Sequence, residues 1–244
     1  MRQPHVLVSA FLSSLGLIPG CSAPTPATSP APPIQTAIPQ TGTSVRVGGD
    51  LSAAISGTDG DYRAGPCTID TPLPAGYPAP TPPGAIDLKS YPHARRAEVS
   101  GRGTPDKGMN AAFWPLFNHI KSKKISMTSP VEMDYRGMAA GDKPVPSAWT
   151  MAFLYRNPDM NQVGQDGQVL VHDAQALTVV SIGLRGDYGM ALVGRGMKDV
   201  QAWLDGHPEW EPAGDWRSLY YNGPALMYWN KWAEVQLPVR PSAR

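Results

Sequence analysis

The sequence predicts an α+β fold, and three observations support this prediction. The residues that build cores are concentrated late in the chain, since all seven Trp lie at or after Trp114, whereas 13 of the 27 Pro lie between Cys21 and Gly84. From residue 86 onward, strand-like segments alternate with segments of helical apolar spacing. A helix followed by strands occurs twice, from Asn110 and from Gly196, which indicates a pseudo-duplicated unit. About 150 residues suffice for one domain that buries on the order of two-thirds of its surface.

The first half begins with a strand over residues 86–100, a glycine-containing loop and a helix. Asn110 can cap this helix. Its apolar residues fall at i, i+3, i+4 and i+7, namely Phe113, Leu116, Phe117 and Ile120. Because proline in a helix interior costs about 3 kcal/mol, we expect the helix to begin close to Pro115.

The next segment, residues 124–135, is predicted to be a strand. Its alternation places five side chains on one side: Ile125, Met127, Val131, Met133 and Tyr135. Two methionines and an aromatic ring on one face form either a core or a soft apolar pocket, and the sequence leaves both possibilities open.

The second half contains three further strand-like segments, a helix and two closing strands. The strands are expected at residues 149–156, 169–172 and 177–185, where β-branched residues are frequent. An amphipathic helix is expected at residues 196–204, ended by His207-Pro208. Residues 220–221 and 228–237 are predicted to close the sheet.

Several of these segments resemble the SOUL family of haem-binding proteins. The residues are Phe113-Trp114-Pro115-Leu116-Phe117-Asn118-His119-Ile120, followed by Lys124-Ile125-Ser126-Met127-Thr128-Ser129-Pro130-Val131. Weaker matches follow in the same order at Trp149–Phe153, Tyr220–Pro224 and Glu234–Leu237. The resemblance covers residues 85–238 and leaves 239–244 as a tail. It implies a twisted antiparallel sheet or barrel flanked by two helices, and haem or another tetrapyrrole as a possible cofactor.

The N-terminal residues 1–20 are predicted to be a bacterial signal peptide. Arg2 precedes an apolar stretch that is too short to cross a bilayer permanently. Residues 17–21 resemble a lipobox, which implies lipidation of Cys21 and a membrane anchor. Ser22 favours the periplasmic face of the outer membrane. The alternative is a secreted soluble protein in which Cys21 is free or paired with Cys67.

Residues 21–84 are predicted to be a Pro/Ala/Thr/Ser-rich tether, largely disordered. Residues 41–62 within it could instead form a small hairpin that packs on the domain. The formal net charge is +1, so no nucleic-acid partner is expected. Lys121, Lys123 and Lys124 are interpreted as a solvated helix end or as partners for ligand carboxylates.

The predicted ligand site lies at the seam between the first helix and the sheet, where a small hydrophobic ligand would bind. Its candidate residues are Trp114, Phe117, His119, Met127, Met133 and Tyr135. A haem iron would take an axial ligand, for which the weak candidates are His119, His172 and His93.

The familiar hydrolase, metalloprotease and nucleotide-binding motifs do not occur in the sequence, so binding is favoured over catalysis. One alternative is a small-molecule hydrolase or effector-binding domain that uses an in-pocket Glu132 or Glu234. Alternation places Glu132 opposite Met133, so we expect Glu132 to face solvent. A second alternative is a structural envelope protein with a filled core.

Overall fold

The computed structural model describes residues 41–138, 146 and 148–243. The strands are β1 Thr43–Gly49, β2 Ser56–Thr58, β3 Asp61–Ala64, β4 Cys67–Ile69, β5 Ala85–Tyr91, β6 Ala94–Arg102, β7 Val131–Arg136, β8 Ala148–Leu154, β9 Gly164–Asp166, β10 Val169–Ala174, β11 Leu177–Arg185, β12 Trp210–Pro212, β13 Arg217–Tyr220 and β14 Trp232–Pro241. The helices are α1 Pro105–Ser122 and α2 Met190–Asp205, and a 3₁₀ helix spans Tyr228–Asn230.

The main sheet has 11 strands in the order β1-β5-β11-β14-β13-β7-β8-β6-β10-β9, with β12 added beside β14. Every strand pair in it is antiparallel. A separate small sheet has the order β2-β3-β4. The predicted α+β class with an antiparallel sheet and two helices is therefore confirmed.

The sheet is open in the described residues, because β1 and β9 form its two ends and do not pair with each other. The barrel that the resemblance allowed is therefore not formed. The strands around α1 pair in the order β6-β8-β7, and those around α2 in the order β11-β14-β13. The two units share a connectivity and meet where β7 pairs with β13. The predicted pseudo-duplication of the fold stays a prediction.

Helix α1 begins ten residues earlier than expected from Pro115, at Pro105. Proline suits the first helical position because its missing N–H has no partner there in any case. Pro115 lies inside the helix, so the expectation that the helix starts close to it was wrong. The packing of Leu116 and Ile120 in the core offsets that local cost. Helix α2 is likewise longer than its apolar spacing indicated.

The predicted strand at residues 124–135 is only half right. Strand β7 begins at Val131, and Lys124 has a positive φ of 56°, which an extended strand does not contain. At the C-terminus, β14 continues to Pro241, so the first residues of the predicted tail belong to the sheet.

The main core lies between the two helices and one face of the sheet. Helix α1 packs on β6 and β8, and α2 packs on β11 and β14. The opposite face carries a second core, whose buried members are Ala64, Cys67, Ile69, Leu73, Tyr91, Val179, Leu219, Tyr221 and Trp232.

Residues 43–84 include four strands, β1 to β4, in a region that the sequence analysis assigns to the tether. Strand β1 pairs with β5, and the small sheet contributes Cys67 and Ile69 to the second core. The rest of the predicted tether, residues 21–40, and the predicted signal peptide lie outside the described residues. Among the described helices, none is long and apolar enough to cross a bilayer.

Candidate functional site

The predicted seam between α1 and the sheet is packed at its centre. Met133 and Tyr135 are fully buried in the main core, and the Tyr135 hydroxyl hydrogen bonds to Ser218 Oγ at 2.7 Å. Met127 is half-buried against the same core. The shared side that alternation predicts for these residues is therefore the helix-facing core.

An exposed aromatic surface lies on α1 beside this seam, and we define it as Phe113, Trp114 and Phe117. Trp114 is 61% exposed. Its ring meets Phe113 edge-on at 5.6 Å between centroids and Phe117 at 6.1 Å. The two phenyl rings stack at 5.8 Å, and Phe113 contacts Phe153 of the sheet at 5.4 Å. The aromatic surface is thus held from below by the core while its outer ring meets solvent.

A positive charge follows the aromatic surface along α1. Lys121 lies four residues after Phe117 and seven after Trp114, a spacing that places side chains on one helix face. Its side chain is exposed. The surface therefore offers aromatic area next to a cation, which fits a flat apolar molecule with an anionic group.

His119 points away from this surface into a polar contact. Its Nε2 lies 2.8 Å from the Tyr155 hydroxyl and its Nδ1 lies 3.0 Å from Asp166 Oδ2. Lys123 lies 3.2 Å from the same carboxylate. Hydrogen bonding and charge from Lys123, followed by the His119 hydrogen bond, lower the pKa of Asp166. Both ring nitrogens of His119 have partners, so an iron would have to displace one of them.

The other two predicted axial candidates, His172 and His93, lie apart from the aromatic surface. His172 is on β10, with Nε2 at 3.0 Å from Glu98 Oε2 but without hydrogen-bond geometry. His93 is exposed in the turn between β5 and β6. In the part of the chain described, no group of three or more His, Cys, Asp or Glu side chains could hold a metal ion. The three predicted axial candidates therefore do not converge on the aromatic surface.

Glu132 and Glu234 occupy the sheet face opposite the helices, and both are buried. The expectation that Glu132 faces solvent was wrong. Alternation does place it opposite Met133, but that face is covered by residues 70–84, which we call the cover segment. We call the charged and polar side chains beneath it the polar face. Its buried members are Lys89, Arg96, Glu132, Ser181, Arg217, Glu234 and Gln236, and the half-buried Asp134 adjoins them.

Glu234 on β14 is surrounded by donors. Lys89 Nζ lies 3.0 Å from each carboxylate oxygen. Further donors are Tyr221 Oη at 2.7 Å, Ser181 Oγ at 2.5 Å, Gln236 Nε2 at 2.7 Å and the Thr81 backbone N–H at 2.8 Å. Burial by itself would raise the pKa of Glu234, but the Lys89 charge and these donors outweigh it and hold the pKa below its usual value.

Glu132 on β7 lies between two guanidinium groups. Its Oε1 is 2.7 Å from Arg217 Nη2, and its Oε2 is 3.1 Å from Arg96 Nη1. Arg96 also contacts Asp134 at 2.5 Å and Glu98 at 2.8 Å. Burial opposes the ionisation of Asp134, yet the charges of Arg96 and Arg217 lower its pKa. Both carboxylates of the predicted pair, Glu132 and Glu234, therefore lie against buried cations.

The cover segment supplies one donor to each glutamate. The Tyr77 hydroxyl lies 3.4 Å from Glu132, and the Thr81 N–H is bound to Glu234. Trp232 Nε1 donates in return to the Thr81 carbonyl at 2.7 Å. Gly183 on β11 permits this approach, because a Cβ there would lie 2.2 Å from the Pro82 carbonyl oxygen. The segment thus fills the polar face with groups from the same chain.

Among the described residues, two polar atoms of this face have no hydrogen-bond partner: Arg217 Nε and Gln236 Oε1. A surface depression of about 450 Å³ borders the cover segment and is lined by Pro82 and Arg185. Another, of about 500 Å³, lies at the strand ends and is lined by Tyr91 and Leu177.

Sequence reasoning did not find Lys89, Arg96 or Arg217. Their positions in strands with apolar neighbours were an available signal, since a charged residue in such a strand needs a buried partner or solvent.

No protein-family model matches this sequence, and the comparison with curated proteins gives no match. Among solved structures, the chain is similar to the C-terminal domain of EcmrR, with a TM-score of 0.53 and 14% identity over 64% of this chain and 98% of that one. In the cryo-EM structure of the EcmrR–DNA complex the score is the same, but only 57% of that chain is covered. A hydrolase from Listeria innocua gives a TM-score of 0.48 and 14% identity, over 66% of this chain and 94% of that one. The described domain thus has the fold of the EcmrR C-terminal domain.

Proposed function

We propose that this domain binds a flat, largely apolar small molecule, with haem-type tetrapyrroles among the candidates, on the aromatic surface of α1. The observation that carries the proposal is the 61% exposure of Trp114 above the stacked pair Phe113 and Phe117. Exposing a large indole to water beside two further rings costs free energy. A contiguous exposed apolar patch of this kind often marks a binding site. The resemblance to the SOUL family also supports a ligand site on this helix.

The chemistry of the aromatic surface defines the ligand class. Aromatic rings favour stacked and edge-on contacts with another ring system, and Lys121 supplies a cation at one end. Haem, if bound, would lie with a ring face on Trp114 and Phe117 and with its carboxylates towards Lys121. Met127 and the buried Met133 and Tyr135 act in this proposal as the support beneath the aromatic surface.

Haemin titration of the purified chain, followed by the Soret band, tests this proposal. We expect a saturable shift with a dissociation constant in the micromolar range or below. Trp114→Ala should weaken binding about tenfold, which corresponds to about 1.4 kcal/mol, and Phe117→Asp should weaken it further. Trp229→Ala is the matched control, since Trp229 is also exposed but is distant in sequence from α1. The haemin affinity of this variant should equal that of the wild type.

A non-saturating titration, or equal losses in Trp114→Ala and Trp229→Ala, would overturn the proposal. A metal-free porphyrin as a second probe separates ring recognition from iron ligation. Equal affinities for the two probes would indicate that no axial ligand contributes. Absence of any binding would instead favour a structural envelope protein with a filled core.

A second candidate function is favoured by the burial of Glu132 and Glu234 on one face. This face could bind an effector or a hydrolysable small molecule once the cover segment is displaced. Each carboxylate already has cationic and hydroxyl partners, and Glu234 has a lowered pKa. A lowered pKa does not suit Glu234 to act as a general acid or base near neutral pH, and Glu132 is occupied by two guanidinium groups. Binding is therefore the better-supported form of this alternative.

We also propose that Cys21 is lipidated and that the domain is tethered at the periplasmic face of the outer membrane, with secretion as a soluble protein as the alternative. The lipobox-like residues 17–21 support this proposal. EcmrR is described in complex with DNA, and the matching part of it is its C-terminal domain. The prediction that this chain binds no nucleic acid rests on its net charge of +1 and stays a prediction.

A further inference from the structure

A second exposed apolar surface lies on the opposite half of the sequence, in the connection between β13 and β14. We define it as the apex, consisting of Met227, Tyr228 and Trp229. These side chains are 52%, 55% and 45% exposed, respectively. The rings of Tyr228 and Trp229 meet edge-on at 4.8 Å. Three consecutive large apolar side chains in water form a contiguous exposed patch of the kind that marks an interaction site.

The base of the apex is fixed by hydrogen bonds. Asn222 Oδ1 accepts from the Trp232 N–H at 2.7 Å, and Asn222 Nδ2 donates to the Thr68 carbonyl at 2.7 Å. The Asn222 N–H bonds to the Tyr188 hydroxyl at 2.9 Å. The 3₁₀ helix Tyr228–Asn230 then holds the apex itself. The side chains are therefore presented on an ordered support and do not depend on a partner to take this shape.

The chemistry of the apex suits the interfacial layer of a bilayer better than it suits a charged partner. No charged residue occurs from Asn222 to Asn230. The nearest cation in the chain, Lys231, is paired with Asp187 at 3.3 Å and lies 5.1 Å from the centre of the Tyr188 ring. Tyr and Trp are the residues that prefer the headgroup level of a bilayer, because their rings are apolar and their hydroxyl and N–H groups are polar.

The small size of the apex favours a bilayer over a protein as its partner. A stable protein interface buries roughly 800 Å² on each side and takes about 20 to 30 residues. Three side chains that are about half exposed fall well short of this. They suffice for shallow insertion when a second attachment holds the domain near the membrane. Residues 22–40 can extend to at most about 65 Å, so a lipid on Cys21 would keep the domain within that distance.

We propose that the apex docks into the interfacial region of a phospholipid bilayer. Its role as the second attachment rests on the proposed lipid anchor. The insertion itself does not, because it follows from the apex side chains alone.

The test uses unlipidated chain beginning at residue 22, since the compact unit Ala37–Arg244 contains all the described structure. The probe is phosphatidylcholine vesicles with brominated acyl chains. We expect the vesicles to quench tryptophan fluorescence. Trp229→Ala should lose most of the quenching, and Met227→Ser should lower the vesicle partition coefficient about tenfold. The control Trp114→Ala should keep the wild-type partition coefficient. Near-ultraviolet circular dichroism confirms that each variant is folded.

No quenching in the wild type, equal partition in Trp229→Ala, or loss of partition in Trp114→Ala would each overturn the proposal. Dimerisation of the wild type that Trp229→Ala abolishes would also overturn it, in favour of a second copy as the occupant. Incorporation of labelled palmitate into the full chain, with Cys21→Ser as the control, tests the anchor separately. Failure of the anchor therefore leaves the vesicle result interpretable.

Discussion

Among single residues, Glu234 illustrates most clearly that a buried charge of the polar face depends on ionic and hydrogen-bonding partners. Its carboxylate and the Lys89 ammonium are both fully buried. An ion pair in such a site is stable only if further hydrogen bonds complete it, and Tyr221, Ser181 and Gln236 provide these. The Lys89 charge, followed by the hydrogen bonds from Ser181 and Tyr221, holds the pKa of Glu234 below its usual value.

Glu234→Gln should therefore lower the free energy of unfolding at pH 7 by about 3–5 kcal/mol, because Lys89 is left as an unpaired buried cation. Urea denaturation measures this change. Glu211→Gln is the control, since Glu211 pairs with Arg240 at the surface and should cost about 0–1 kcal/mol.

The pH dependence follows from the lowered pKa of Glu234. Its stabilisation is present above the ordinary glutamate value of 4.5 and is lost as the pH falls through the folded-state pKa. The stability gap between wild type and Glu234→Gln should narrow on acidification below about 4.5. A gap under about 1 kcal/mol at pH 7, or one that widens in acid, would contradict the role given to the Lys89–Glu234 pair.

Among the elements, the small sheet β2–β4 and the cover segment form one packed layer on the second core. Leu73 is fully buried in that core, and the Arg156 guanidinium donates to its carbonyl. Ser129 adds a backbone bond to Pro72 at 3.0 Å. This layer is part of the folded domain, although its sequence has the Pro- and Gly-rich composition of a linker.

Leu73→Ala should lower the free energy of unfolding by about 2–5 kcal/mol and should do so in a single transition with the rest of the domain. Leu51→Ala is the matched control, because Leu51 is exposed and should change stability by no more than about 0.5 kcal/mol. Thermal or urea unfolding distinguishes the two. Equal free energies of unfolding for Leu73→Ala and Leu51→Ala would mean that the cover segment is not integral to the domain.

Helix and strand positions in the main core could be predicted from apolar spacing, as Phe113 to Ile120 and Met133 to Tyr135 illustrate. The start of α1 was missed because Thr104-Pro105 precedes residues with no apolar periodicity. The burial of Glu132 could not be predicted either. It depends on tertiary contact with Tyr77, about 55 residues away in sequence, and the cover segment has no strand or helix period of its own.

For the whole molecule, one sheet separates two different environments. The helix side is a packed apolar core with the aromatic surface of α1 at its edge, and the other side is a charged layer closed by the cover segment. The fold matches the C-terminal domain of EcmrR, but a fold alone does not define a ligand. The assignment of small-molecule binding therefore depends on the exposed rings of α1.

The most direct test of this assignment is to map the ligand contact by amide chemical-shift changes in ¹⁵N-labelled protein titrated with a metal-free porphyrin. We predict that saturable shifts concentrate at residues 110–121 and 127, around Trp114 and Phe117, while the amides of Glu132, Glu234 and Trp229 stay unchanged. Shifts that concentrate at the cover segment and the polar face, or that spread without saturating, would contradict the account.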